Sequence, residues 1–194
     1  SPDVEVYSID EAFMRFKYSK GRDYYNYLKK IKNSVFQWTG IPVSIGLGPT
    51  KTLAKIANSL AKKSKINCVY DLSSPSSQIE VLEHIQVENI WGISKRWGAK
   101  LRLIGIGNAL QLRNASPQKI RKYLGVVLER LVYELRGVSC LDLDQVQPRK
   151  NIMVSRSFGK PIYKLTDLEQ AISLYTVRGC EKMRSQNSRA QTVY

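Results

Sequence analysis

The sequence predicts an α+β chain: a split βαβ layer, then a small all-helical segment, then the start of a second α+β unit. Three observations predict it. Over roughly the first 70 residues, β-branched and aromatic runs alternate with amphipathic helical runs. From Ile79 to Gly137 the pattern is helical throughout, in short pieces cut by glycines. A strand-like alternation and one helical run then close the chain.

Taken in order, Val4–Ile9 and Ala12–Phe16 read as strands because they are β-branched and aromatic. Tyr24, Leu28, Ile31, Val35 and Trp38 recur at spacings of four and three, one face of a helix that Gly40 ends. Ile41–Leu47 reads as a third strand. Gly48-Pro49-Thr50 turns into a helix running to about Lys63, and Asn67–Tyr70 is a short strand. Leu72–Ser77 has the composition of a linker, and Leu141–Pro148 of a second one. Asn151–Phe158 alternates like a strand, and a helix from about Asp167 to Ser185 follows.

The chain has 194 residues, with 31 Lys and Arg against 16 Asp and Glu and a formal net charge of +15. At 43% hydrophobic and 9% aromatic residues it is too apolar for a disordered tail. No stretch approaches the ~18–20 apolar residues of a membrane span, and no signal peptide opens it. Ser1-Pro2-Asp3 opens it without a Met, so a fragment of something longer is expected. Cys68, Cys140 and Cys180 are odd in number and widely spaced, which reads as a reducing intracellular protein without bridges or a zinc site. His84 is the single histidine, so chemistry must rest on carboxylates, lysines or backbone. Between Asn89 and Leu128 there are eight basic residues and no acid. A solvated face mixes both signs, so this run favours a phosphate backbone as partner.

Three constellations carry candidate chemistry. Asp10-Glu11 sits inside an apolar strand pair, where neighbours in a regular strand would point to opposite faces. A tight turn there would let both lean to one side, where a divalent cation between them relieves their repulsion. The alternative is a hairpin turn that uses acids for solubility. Ile45–Lys55 resembles a phosphate-cradling strand–turn–helix but lacks the Walker spacing, and on the helix it opens Lys51, Lys55, Asn58 and Lys62 fall within about 60° and face outward. Leu53, Ile56, Ala57 and Leu60 lie opposite. Lys51 and Lys55 stand in the first two turns, where the helix dipole disfavours cations; a triphosphate bound there would relieve the conflict. Trp91-Gly92-Ile93-Ser94-Lys95-Arg96 resembles a helix-hairpin-helix, which offers backbone N–H groups to a nucleic-acid phosphate. Its usual second Gly is Ser94 here.

Taken together, Tyr-Ser-Ile-Asp-Glu-Ala-Phe (7–13), Gly-Leu-Gly-Pro-Thr-Lys-Thr-Leu-Ala-Lys-Ile-Ala-Asn (46–58), Trp-Gly-Ile (91–93), Val-Val-Leu-Glu-Arg-Leu-Val-Tyr-Glu-Leu-Arg-Gly (126–137) and Ser-Arg-Ser-Phe-Gly (155–159) resemble the Y-family translesion DNA polymerases. Within that family they look most like the UmuC-like catalytic subunits of the bacterial SOS mutagenesis polymerase, DNA polymerase V. The resemblance implies a partial ferredoxin-like palm (1–70), a helical thumb with the hairpin (71–140), a linker (141–148) and a partial little finger (149–194). It implies Asp10 and Glu11 as two of three carboxylates holding two Mg2+ ions, and Lys55, with Lys51 a weaker candidate, as contacts of the incoming dNTP. Gly92, Ile93, Ser94, Lys95, Arg96 and Arg156 would contact primer–template DNA. The first palm strand with its third carboxylate and the fingers would precede Ser1, so the fragment alone is expected to be inactive. An accessory SOS mutagenesis subunit, a recombinase filament and a sliding clamp are the implied partners, in the bacterial cytoplasm at the nucleoid. The competing reading is a non-catalytic, sequence-independent DNA-binding module; a scaffold subunit has little in its favour.

Overall fold

The computed structural model describes residues 3–17, 23–64, 68–143 and 151–193. The chain divides into two compact units, Ser1–Leu143 and Asp144–Tyr194.

The first unit opens with strands β1 (Asp3–Val6) and β2 (Ala12–Arg15), paired antiparallel with Val4 opposite Met14 and Val6 opposite Ala12. β1 is shorter than the expected Val4–Ile9, because Ser8–Asp10 bend away to make the turn. Its faces are inverted relative to hydrophobicity: Val4 and Val6 are exposed and Glu5 is buried. Helix α1 (Tyr24–Thr39) starts at Asp23, whose carboxylate accepts from the Asn26 N–H, and ends at Gly40 with φ 69°. Of the apolar face expected for α1, only Leu28 is buried; Trp38 is 80% exposed.

Strand β3 (Ile45–Leu47) is shorter than the expected Ile41–Leu47, since Pro42 has no N–H to give a ladder. It pairs parallel with β4 (Val69–Asp71), Ile45 opposite Val69 and Leu47 opposite Asp71. The described strands thus form two two-stranded sheets. Helix α2 (Lys51–Lys63) lies against β3 at very close range. A Cβ on Gly46 would fall inside the Asn58 nitrogen and the Ala54 carbonyl oxygen, and one on Gly48 would stand 2.8 Å from the Ala54 nitrogen. These glycines are required by strand–helix packing, which is a simpler role than that of the phosphate cradle the segment resembles.

Residues 75–77 are helical, correcting the linker read from Leu72–Ser77. Pro75 occupies the first position of α3 (Pro75–His84), where its fixed φ suits a helix and its missing N–H costs nothing. A 3-10 turn (Val87–Asn89) follows, then α4 (Lys95–Leu103), α5 (Ala109–Asn114), α6 (Pro117–Leu124) and α7 (Val126–Leu135). One hydrophobic cluster joins Leu53, Ile56 and Ala57 of α2 to Leu101, Leu112, Leu128 and Val132 of these helices. The apolar face read for α2 is therefore the face that anchors it. Gly125 closes α6 and opens α7 at φ 91°, ψ 173°.

In the second unit, residues 151–155 alternate in exposure and 156–158 are all exposed, but no strand forms, contrary to expectation. Among the described residues they have no neighbouring strand to pair with. Helix α8 (Leu165–Ser185) follows and has no buried residue. Most of the Leu141–Pro148 linker lies outside the described residues.

Candidate active site

The β1–β2 turn places Asp10 and Glu11 beside the start of α2. The Tyr7 and Ser8 N–H groups both donate to the Glu11 carbonyl at 3.0 Å, which closes the turn. The Ser8 hydroxyl donates to Asp10 Oδ1 at 2.7 Å. That bond, helped by the charges of Lys62 and Lys55, holds the exposed Asp10 carboxyl below the usual range. Glu11 is half-buried, and its Oε2 lies 2.8 Å from Lys55 Nζ. No group of three or more His, Cys, Asp or Glu poised for a metal occurs among the described residues. Asp71 ends β4 and Asp167 lies in the first turn of α8.

The two lysines at the start of α2 already face protein anions. Lys51, expected on an outward stripe, is only 10% exposed in its side chain and bonds Glu5 Oε2 at 2.5 Å, with Glu5 at 6%. It also donates to the Asp142 carbonyl at 2.5 Å. Carboxylates from the β1–β2 hairpin thus relieve the dipole conflict that the sequence assigned to a triphosphate. Lys62 is exposed, as read.

Sequence reasoning missed Glu134 and Glu5. The Glu134 side chain is fully buried in α7. Its carboxylate accepts from the backbone N–H of Thr52 in the first turn of α2, and from Cys140 and Leu141 at 2.6 and 3.2 Å. The Thr50 hydroxyl donates to the Glu134 carbonyl at 2.9 Å. A negative group therefore sits at the α2 N-terminus, where the free N–H groups point. The sequence signal was a carboxylate beside the Leu128, Leu131, Leu135 stripe. For Glu5 it was a charge between two valines.

Aromatic rings close the site. Tyr7, Phe13 and Trp91 contact one another with centroids 5.4–5.8 Å apart. A cleft of about 730 Å³ opens beside them. Phe13, Phe16, Tyr24, Tyr25, Leu47 and Lys51 are among the residues that line it. β2 and β3 both border it, and among the described residues each has one edge without a strand partner.

The hairpin expected around Gly92 sits between the 3-10 turn and α4. Gly92 has φ 88°. Ile93 is in the core and its N–H donates to the Ile90 carbonyl. Ser94 caps α4, accepting from the Trp97 N–H. Lys95 and Arg96 are exposed in the first turn of α4. The acid-free run is partly neutralised from outside: Arg102 binds Glu88 at 2.6 Å and Arg121 binds Glu129 at 3.0 Å. In the second unit, Arg156 is exposed at a recess shared with Arg178 and Lys182.

Known proteins place the chain. The impB/mucB/samB family matches residues 1–59, and the impB/mucB/samB family C-terminal domain matches residues 149–194. The chain belongs to the impB/mucB/samB family. Protein UmuC of Salmonella typhimurium is 42% identical over 190 residues, 96% of this chain and 45% of that protein. DNA polymerase IV of Picrophilus torridus is 34% identical over 161 residues, 82% of this chain and 43% of that protein. The crystal structure of DinB from Sulfolobus solfataricus aligns with a TM-score of 0.53 at 27% identity, covering 68% of this chain and 38% of that one. The chain spans about half the length of the curated relatives it matches. The Asp10-Glu11 turn and Lys55 fall in the first matched segment of the impB/mucB/samB family and Arg156 in the second; the hairpin lies between them.

Proposed function

We propose that the chain is the catalytic-turn, hairpin and little-finger portion of an error-prone translesion DNA polymerase of the SOS response. The observation that carries this reading is the turn that sets Asp10 and Glu11 side by side with Lys55 within bonding distance. The donor set suits Mg2+, which is held by one or two carboxylates completed by water and substrate phosphates. Metal ions bound there would align the attacking primer hydroxyl and stabilise charge on the transferred phosphoryl group and its leaving pyrophosphate. The chain's own residues supply the rest. Asp10 and Glu11 would hold the metals. Lys55 would bind the triphosphate and neutralise charge as it leaves. Lys51, anchored to Glu5, is the weaker nucleotide contact.

A third carboxylate is required, on a strand that the resemblance places ahead of Ser1. The cleft bordered by β2 and β3 supports this, because among the described residues each of those strands has one edge without a strand partner. Exposed Lys95 and Arg96 stand at a helix start that disfavours cations, so a DNA phosphate at the Gly92 hairpin would stabilise them. Arg156 would track the template. The accessory SOS subunit, recombinase filament and sliding clamp, and a bacterial cytoplasmic setting at the nucleoid, belong to the same proposal for the longer protein. The 194-residue chain by itself is expected not to extend a primer.

The test is primer extension by the longer protein carrying this segment. Asp10→Ala is expected to abolish extension while primer–template affinity is kept. Extension surviving that substitution would leave only the DNA-binding module.

A further inference from the structure

The geometry points to Trp91 as the residue that positions Lys55 for its phosphate, an inference that rests on Lys55 being the triphosphate contact. Lys55 Nζ lies 5.2 Å from the Trp91 ring centroid and 5.1 Å from that of Tyr7. The Trp91 and Tyr7 rings meet edge to face at 5.4 Å and 88°, and Phe13 leans on both. The ammonium therefore has aromatic faces behind it and Glu11 at 2.8 Å ahead of it.

The two kinds of contact behave differently when an anion arrives. A phosphate competes with Glu11 for the ammonium, so that bond exchanges. It does not compete with an aromatic face, whose attraction for a cation is unaffected by pH and survives the exchange. The rings thus keep the lysine's four-carbon stem aimed through the step at which its partner changes. A lysine without such walls distributes over many rotamers, and ordering it costs entropy at binding.

Trp91 suits this role better than its neighbours. Indole is the strongest cation acceptor among the aromatic side chains. Ile90 and Ile93 on either side of the Trp91-Gly92 pair are 2% and 7% exposed, so the core holds the turn from both flanks. Tyr7, in contrast, is 44% exposed on a hairpin. Trp91 also directly precedes Gly92, so one turn would serve the DNA backbone through its N–H groups and the nucleotide through its indole.

The experiment uses the longer protein carrying this segment and its variants Trp91→Phe, Trp91→Ala, Lys55→Ala and the double variant Trp91→Phe/Lys55→Ala, with Trp38→Phe as control. Two quantities are measured: the rate at which an amine-acylating reagent labels Lys55, by mass spectrometry, and the affinity for a fluorescent magnesium–deoxynucleoside triphosphate. Melting curves confirm that each variant is folded, and Trp91→Phe carries the test if Trp91→Ala unfolds. Labelling of Lys55 is expected to rise in both Trp91 variants, more in Ala than in Phe. Triphosphate affinity is expected to fall about three- to tenfold. The loss should vanish on a Lys55→Ala background, which a merely structural role for Trp91 would not produce. Unchanged labelling in a folded variant, or additive losses in the double variant, overturns the inference. A wild-type longer protein that binds no triphosphate, while labelling still follows the ring, overturns the nucleotide reading and leaves the positioning contact standing.

Discussion

Lys55 Nζ and Glu11 Oε2 are 2.8 Å apart, so the lysine read as the nucleotide contact and the carboxylate read as a metal ligand hold each other. A divalent cation at Glu11 and the lysine are then competitors. Removing the lysine's charge should make the turn a better cation site before any nucleotide is present. Lys55→Gln is expected to tighten Mn2+ binding about two- to fivefold, the range of a partly exposed ion pair. Titration followed by electron paramagnetic resonance of free Mn2+ measures it. Weaker Mn2+ binding in the variant would mean that Glu11 is not a ligand.

Glu134 is the side chain on which the α2–α7 junction turns. It accepts from Thr52, Cys140 and Leu141, and Glu134→Ala would strand those three buried or half-buried N–H groups. A loss of about 3 kcal/mol in unfolding free energy is expected. Glu134→Gln should lose less, since its amide oxygen still accepts while its NH2 faces N–H donors. Urea unfolding with an unchanged slope checks both values.

The sequence made some of this readable and hid the rest for physical reasons. Helix α2 was legible because Leu53, Ile56 and Ala57 repeat at helical spacing and all three are buried. The Asp10-Glu11 turn was legible because two adjacent carboxylates contradict a regular strand. The partners of Lys51 and Lys55 were not. Glu5 is 46 positions from Lys51 and Glu11 is 44 from Lys55, and periodicity reports only which face a residue occupies. The glycines of Gly46-Leu47-Gly48 looked like a phosphate loop because close approach to a ligand and close approach to a helix demand the same missing Cβ. Pro75 looked like a linker because proline marks both chain breaks and helix starts.

The two kinds of glycine separate in a stability experiment. Gly46→Ala forces a methyl into the α2 backbone, which cannot move without disturbing the packed Leu53 and Ile56. A loss of at least about 3 kcal/mol is expected. At Gly125 an added Cβ meets nothing within 4 Å, but φ 91° with ψ 173° is a conformation that only glycine adopts readily. Gly125→Ala is therefore expected to lose about 2 kcal/mol through backbone strain alone. Equal losses at both positions would contradict the packing account of Gly46.

Glu88 gives the chain an acid-sensitive contact beside the hairpin. Its two carboxylate oxygens accept from Arg102 at 2.6 and 2.9 Å, and the guanidinium draws its pKa from 4.5 down to about 2. Gly98 keeps room for it, since a Cβ there would stand 2.8 Å from Glu88 Oε1. A carboxyl whose pKa is depressed on folding stabilises the fold above its unfolded value. That stabilisation is lost as pH falls towards the folded value. The advantage of the wild-type chain over Glu88→Gln should therefore be constant above about pH 5, shrink below pH 4.5 and be gone near pH 2. Melting temperatures of the two chains across that range measure it. A difference that persists unchanged down to pH 2 would show that packing of the side chain, rather than its charge on Arg102, holds α4 against the 3-10 turn.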